Sequence, residues 1–521
     1  MKNFKRFILN GLLLTAVSLL IRSVSVSFQV YLSNKIGAAA MGIFSLISTV
    51  YGFSLTLATS GIQLATTKLV SEAIGKNAED SDYVIKAILK KCICYALFFG
   101  TLSSLLLLLL SSFIGSVWLG DARTVLPLRI LALTLVPIAL SSVFNGYFTA
   151  MRRVWKNAAV QVTGEGVRIF VCIFLLSLCL PGDIQFSCLA VILGGTIAEL
   201  SSFFIHASFF LFERKKRQKT KSYQKVKNDG KLLKVALPVA FSAYVRSALV
   251  TIEHLLIPKG LEKSGASRES SLAAYGTLHS MVFPLVLFPS AISSSFAGLL
   301  IPEISESCAK GDNKKIVNTV NKVFEAVLTY AIGVSGIMIC FSQELGGAIY
   351  PNTDAAKFIL ITAPLIPVMY LDTSVDSMLK GLGQQIYHMG INITDSFLSV
   401  ILVIFLIPRF GIMGYVMTVY FTELTNASLS IARLFTVVKI RPRIFAWIIR
   451  PLLCSVISNS VTKIFLHRFG RFSTETVEVA FHILLSAALY LLLIAVFKSG
   501  KSPQKLSKQS LTVDNKSEFQ I

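Results

Sequence analysis

Two arginines sit in the middle of long apolar runs, where a charge costs at least about 2.5–3.5 kcal/mol to place in a bilayer. Arg22 lies in the run 7–32 and Arg246 in the run 232–257. Ser18, Arg22, Ser25 and Gln29 step by four, three and four residues, so a helix carries them as one polar stripe. Ser242, Arg246, Leu249 and Glu253 repeat that spacing. A guanidinium at such depth has two uses. It can line a hydrophilic cavity, where its planar fork suits the paired oxygens of a phosphate. Or it can pair with an internal carboxylate such as Glu253 and hold helices together. The cavity reading makes Ser18, Arg22, Gln29, Ser242, Arg246 and Glu253 candidate substrate-binding residues for an anionic, phosphate-bearing ligand. His279 is expected in the span next to Arg246 and joins them, against the plainer reading of a satisfied core histidine.

A second set of polar groups suits a coupling ion. Asp372 and Asp376 share one face of a helix, with Lys380 one turn further on. They read either as a proton or cation site or as a carboxylate–lysine ladder between helices. Asn392 and Asp395 on one span, and Glu423 with Asn426 on the next, supply oxygens of the kind a Na⁺ site uses, or ordinary interhelical hydrogen bonds. Glu165 and Arg168 stand three apart and read as a local ion pair. No histidine or cysteine shows metal-ligand spacing and no CxxC pair occurs, so the eight cysteines read as small buried hydrophobes. No metal, organic cofactor or nucleotide is expected beyond Na⁺ or H⁺. The P-loop, GxSxG and HExxH patterns are all absent, which argues against an ATPase, a common hydrolase or any other enzyme.

The elements that must position these groups are membrane helices. The 521 residues are 54% hydrophobic and only 15% charged, where soluble chains carry about a quarter charged residues. That composition excludes a soluble enzyme, a disordered chain and a disulfide scaffold. Apolar runs predict fourteen spans near 7–32, 42–70, 87–114, 125–150, 158–180, 186–212, 232–257, 272–301, 319–342, 357–380, 386–407, 411–437, 444–466 and 477–497. The net charge of +23 falls mostly in alternate connections. That is a topology signal rather than a nucleic-acid surface, and it places both termini in the cytoplasm of a multi-pass cell-membrane protein. The cluster Lys463, Arg468 and Arg471 is the exception. Lys2, Lys5 and Arg6 before an apolar stretch imitate a secretion signal, but they read better as the start of a retained first span. Pro238, Pro284, Pro289, Pro364 and Pro367 predict kinks in spans 7, 8 and 10.

The chain repeats itself. An offset of 224 residues lays Arg22 on Arg246 and Gln29 on Glu253; an offset of 234 lays Ala40-Met41-Gly42 on Ala274-Tyr275-Gly276. Further matches run in order along six spans. The expected fold is therefore an all-α polytopic membrane protein of two six-helix bundles, 1–212 and 232–440. A basic linker, 213–231, joins them; two extra helices in 441–497 and a disordered cytoplasmic tail, 498–521, follow. Parallel repeats of this kind belong to transporters, with the substrate between the halves near the midplane.

These features, with the segments Lys35–Phe44, Leu57–Ile62, Lys68–Glu72 and Leu379–Gln384, resemble the multidrug/oligosaccharidyl-lipid/polysaccharide exporter superfamily. The resemblance is strongest to sporulation-type members of its polysaccharide and lipid II flippase branch, and covers the chain to about residue 497. It implies a flippase for an undecaprenyl-pyrophosphate-linked saccharide, lipid II above all, in spore-cortex peptidoglycan synthesis. It implies that Arg22 and Arg246 hold the pyrophosphate, that 444–497 forms a groove for the polyprenyl tail, and that the chain acts as a monomer among membrane lipids. A multidrug or cation antiporter of the same superfamily, and a membrane glycosyltransferase, are the competing readings. The first requires carboxylates as the deep cavity charges, and the second a large outer loop.

Overall fold

The computed structural model describes residues 2–59, 61–75, 81–178, 184–216, 231–350, 354–469 and 475–499. The side chains of Ser18 and Arg468, the body of the 213–231 linker, the end of the fifth span at 179–180 with the connection Pro181–Asp183, Arg471, and the tail from 500 lie outside what is described. Helices form the described chain, and no strand occurs among the described residues.

The first helix, α1 (Lys2–Thr59), is kinked at Gly37, whose φ of 80° and ψ of 166° are not helical. At about 1.5 Å per residue, 58 residues are far too long for one crossing, so the kink divides α1 into two arms. The second arm breaks again before α2 (Ile62–Gly75). Gly61 takes a φ of +76° there, and a Cβ on it would lie 2.5 Å from the Ala236 carbonyl oxygen, so only glycine fits. Next come α3 (Ser81–Phe113), α4 (Val125–Ala132), α5 (Leu135–Ala150), α6 (Val154–Leu178) and α7 (Ile184–Lys216). α5 packs on α2, α3 and α7, and α6 packs on α7.

From residue 231 the order is α8 (Lys231–Lys263), α9 (Arg268–Tyr275), a π-helical turn Gly276–Val282, α10 (Phe283–Leu287), α11 (Ser290–Ala309), α12 (Asn313–Cys340), α13 (Ser342–Ile349), α14 (Ala355–Thr362), α15 (Ile366–Gly381), α16 (Gln385–Phe410), α17 (Ile412–Val438), α18 (Arg450–Phe469) and α19 (Glu475–Ser499). α16 packs on α8 and α17, α15 packs on α11 and α12, and α18 and α19 pack on each other and on α12. The breaks expected in spans 8 and 10 are present, at the π turn, at Phe288–Pro289 and at Ala363–Leu365. Span 7 differs from expectation: α8 runs unbroken through Pro238 from Lys231 to Lys263, because proline's fixed φ is itself helical and removes only one hydrogen bond.

Among the described residues, eleven helices can cross a membrane by length and composition, or twelve when the bent pair Ala122–Ala132 and Leu135–Ala150 is one span. The fourteen expected spans exceed this for two visible reasons. Leu19–Ile74 counts once despite its kink, and the polar α17 is not among the eleven. The seven described cysteines are free thiols. Cys92, Cys172, Cys188 and Cys454 are buried as expected, but Cys94 and Cys308 are exposed.

Residues 2–216 meet residues 231–499 chiefly along α1 and α2 against α8 to α11. At the centre of this seam two glycines let backbones touch. A Cβ on Gly42 would lie 2.2 Å from the Leu272 carbonyl oxygen, and one on Gly276 would lie 2.2 Å from that of Ala38. These glycines coincide at the 234-residue offset. At one end of the seam, Arg268 Nη2 donates to the Leu119 carbonyl at 2.5 Å and Lys259 to that of Val117 at 3.3 Å.

Candidate functional site

The first arm of α1 carries Arg22 across to α10 and α11. Its guanidinium donates to the Leu287 carbonyl at 3.0 Å and to Ser290 Oγ at 3.3 Å. That carbonyl is available because the chain breaks beside it. Pro289 has no N–H, and Phe288 and Ala291 bond to Leu285 and Phe288 in tight three-residue steps. Because the Ala291 N–H turns to Phe288, the Leu287 carbonyl must find other donors in a membrane, and it takes the Ser290 hydroxyl at 2.6 Å together with Arg22. Two turns on, Gln29 Nε2 donates to the Ser280 carbonyl of the π turn at 2.8 Å. Arg22 thus closes a helix seam and lines neither of the two polar cavities.

Arg246 has a different setting. It lines a cavity of about 640 Å³ between the second arm of α1 and helices α8 and α16, with Ser242, Lys380 and His388 also on the wall. Arg246 and Lys380 are both exposed to it. Among the described residues neither has a hydrogen-bonding or ion-pair partner. Thr56 and Ser247 hydrogen bond across one edge at 3.2 Å, and Tyr244 Oη donates to the Leu57 carbonyl at 3.3 Å. Phe53 and Thr56 on this wall stand 234 residues before Leu287 and Ser290.

A larger cavity, about 920 Å³, lies on the other face of the same arm and is enclosed by α1, α5, α6 and α7. Ser25 and Gln29 reach it, so the polar stripe of the first arm divides between a seam and a cavity. Arg168 pairs with Glu165 at 2.5 Å, as their spacing predicts, and Ser25 Oγ donates to the same carboxylate at 2.7 Å. Glu199, which the 224-residue offset lays on Glu423, also faces this cavity.

Of the remaining expected site residues, Asn392 lines the Arg246 cavity, and Asp372, Asp376, Asp395 and Glu423 do not. Asp372, Asp395 and Glu423 lie within Coulombic reach of one another and of Arg246, and Asp376 lies within reach of Asp372 and Glu423. Asp376 approaches His388 Nδ1 at 2.9 Å, and Asn392 Nδ2 donates to the His388 carbonyl at 2.8 Å. Glu253 hydrogen bonds with Ser399 and does not line the Arg246 cavity. Among the described residues no three His, Cys, Asp or Glu side chains converge as metal ligands. His279 stacks on Tyr275, with ring centroids 5.3 Å apart, and touches His254 at 4.4 Å; His254 reaches the Arg246 cavity and His279 does not.

A third, mostly apolar cavity of about 620 Å³ lies between α12 and α19. Val334, Ile337, Leu491 and Ile494 line it, and an Arg450–Glu325 pair at 2.9 Å closes one end.

A bundle of broken helices with free cations at membrane depth is the architecture of a membrane transporter. Residues 7–308 match the family described as "Polysaccharide biosynthesis protein", and residues 265–406 match one described as "MatE". The chain belongs to the polysaccharide biosynthesis protein family. It is similar to stage V sporulation protein B of Bacillus subtilis (strain 168), at 26% identity over 96% of each chain. It is also similar to the lipid II flippase MurJ of that organism, at 23% identity over 71% of this chain and 72% of that one. Its fold matches a solved lipid II flippase MurJ in an inward closed conformation, with a TM-score of 0.69, 16% identity and coverage of 94% and 99%. An inward-facing multidrug resistance MATE family transporter of the MOP superfamily matches with a TM-score of 0.63, at 13% identity over 86% and 99%.

Proposed function

We propose that this protein is a flippase that carries a lipid-linked saccharide precursor, lipid II first among them, across the cytoplasmic membrane by alternating access. The observation that carries the reading is Arg246 and Lys380 standing on the wall of one cavity, without a partner among the described residues. Two cations exposed to one cavity, whose charge no described protein group neutralises at contact, are matched by a phosphate or pyrophosphate. Both termini are placed in the cytoplasm by the positive-inside pattern. The two polar cavities then reach towards the cytoplasmic turns 150–154 and 381–385, and the Arg268 and Lys259 contacts seal the outer end. The apolar cavity beside α19 suits the polyprenyl tail. Residues 1–212 and 232–440 act as the two rocking bundles, and the chain works as a monomer without catalysing a reaction. Protons on Asp372, Asp376, Asp395 or Glu423, with Asn392 beside them, are the coupling ions we assign. A sodium ion would need several converging oxygens.

The test is complementation of a strain depleted of its lipid II flippase, with variants checked for equal membrane abundance. Wild type is expected to rescue growth and Arg246→Ala to fail. Failure of an abundant wild type would overturn the reading. Rescue by Arg246→Ala would remove the site.

A further inference from the structure

The 920 Å³ cavity carries recognition chemistry of its own. Ser141 Oγ, Asn157 Oδ1, Arg168 Nε, Thr196 Oγ1 and both ring nitrogens of His206 lie on its wall, buried and without a hydrogen-bond partner. Thr196 and His206 are each only 6% exposed. Buried polar atoms are nearly always paired, so such a concentration asks for a polar ligand. Beside them Glu199 exposes its carboxylate to the cavity, and among the described residues nothing bonds to it. Arg168 and Glu165 pair with each other, which leaves Glu199 as the acid of this cavity without a cation at contact among the described residues. The neighbouring cavity is positive through Arg246 and Lys380. One helix arm separates them: Ser48 and Tyr51 face the larger cavity, and Thr49 and Gly52 the smaller. The separation is about one helix diameter, ~10 Å, and an extended peptide of five residues spans up to ~17 Å.

We propose that the larger cavity is a subsite for an amine-bearing headgroup. Glu199 pairs with an ammonium group, and Thr196, His206 and Asn157 bond to the amides and hydroxyls around it. The substrate class is thereby a zwitterionic one, with its phosphate on Arg246 and Lys380 and its free amine on Glu199. This rests on the flippase reading above and narrows it.

The experiment uses the full chain in lipid nanodiscs and an undecaprenyl-pyrophosphate disaccharide pentapeptide in two forms. One keeps a free side-chain amine on the peptide, and the other has that amine acetylated. Acetylation is expected to weaken binding to wild type about tenfold, or about 1.4 kcal/mol. Glu199→Gln is expected to bind the free-amine form as weakly as wild type binds the acetylated one, with no remaining preference. Arg246→Ala is expected to weaken both forms equally. Equal binding of both forms by wild type, or continued discrimination by Glu199→Gln, overturns the amine subsite and leaves the flippase reading standing. Binding of neither form by wild type overturns both. Glu199→Gln is expected to keep wild-type affinity for inorganic pyrophosphate; losing it overturns the assignment of Glu199 to the amine alone.

Discussion

Arg22 and Arg246 coincide when the two halves of the sequence are laid over each other, yet one is tied and the other free. Arg22 is bound to the Leu287 carbonyl and the Ser290 hydroxyl. Arg246 faces open space whose wall includes Phe53 and Thr56, the counterparts of those two partners. The difference lies in one residue. Pro289 follows Leu287 at the position where the other half has Leu55. Around Leu55 the helix α1 is continuous, and its carbonyls are used within the helix. Around Pro289 the ladder is interrupted, and the Leu287 carbonyl is left to the Ser290 hydroxyl and to Arg22. Two cations matched in the sequence are therefore one tied and one free because one backbone offers an acceptor and the other does not.

The strongest way to break this comparison is to destroy the crossing that holds both seams in register. Gly276→Leu would push a side chain into the Ala38 backbone, which cannot yield as a side chain would. Overpacking against backbone is expected to cost about 3 kcal/mol or more. It should abolish the monodisperse peak in size-exclusion chromatography of the solubilised protein. Next is Arg246→Ala, expected to lower transport of the lipid-linked substrate about 100-fold, with Arg246→Lys recovering only part because ammonium lacks the bidentate fork. Transport in proteoliposomes measures both, and an Arg246→Ala protein within threefold of wild type would dissolve the contrast.

Milder changes sharpen it. Arg22→Ala removes a charged hydrogen bond of about 1.5–3 kcal/mol. It should leave pyrophosphate affinity within about threefold while loosening the contact between α1 and α11. Cross-linking of cysteines placed at Gln29 and Ser280 should then fall several-fold. Pro289→Leu should reproduce that loosening by restoring the helix ladder and withdrawing the acceptor, with Arg22 still present. If Pro289→Leu leaves the cross-link unchanged, the proline is not the cause of the asymmetry.

The smallest effect lies at the sealed end, which both seams share. Burial pushes the Asp121 carboxyl up, but hydrogen bonds from Arg123 and the charges of Arg123 and Arg268 outweigh this and hold it below its ordinary value. Its contribution is therefore present above the ordinary carboxylate range and lost as pH falls through the lowered value. Arg123 is 43% exposed, so the pair contributes at most about 1 kcal/mol. Asp121→Asn should slightly flatten the acid limb of a thermal-stability profile against pH and leave transport at neutral pH unchanged.

Much of this was legible in the chain. Apolar runs, the alternating basic connections and the Glu165–Arg168 spacing concern neighbours along one helix, where sequence distance is spatial distance. The kinks of spans 8 and 10 were legible because proline acts locally. Glu199 was not, because a single acid in an apolar run carries no sign of what will face it. Nor was the division of the Ser25–Gln29 stripe between a cavity and a seam, because periodicity reports a face and not its neighbour. The grouping of Asp372, Asp376, Asp395 and Glu423 was half visible: their depth is in the sequence, but their meeting comes from the packing of α15, α16 and α17.

The sequence by itself determined that this is a helical membrane protein with an internal repeat and matched charges at depth. Hydrophobicity and helical periodicity are additive along a chain, and a repeat is visible as text. Only the tertiary structure decided which arginine is engaged, which cavity holds Arg246 and which Glu199, and that one helix arm divides them. Those depend on which backbone carbonyls a break exposes and on which faces of packed helices meet, and both are settled between segments hundreds of residues apart.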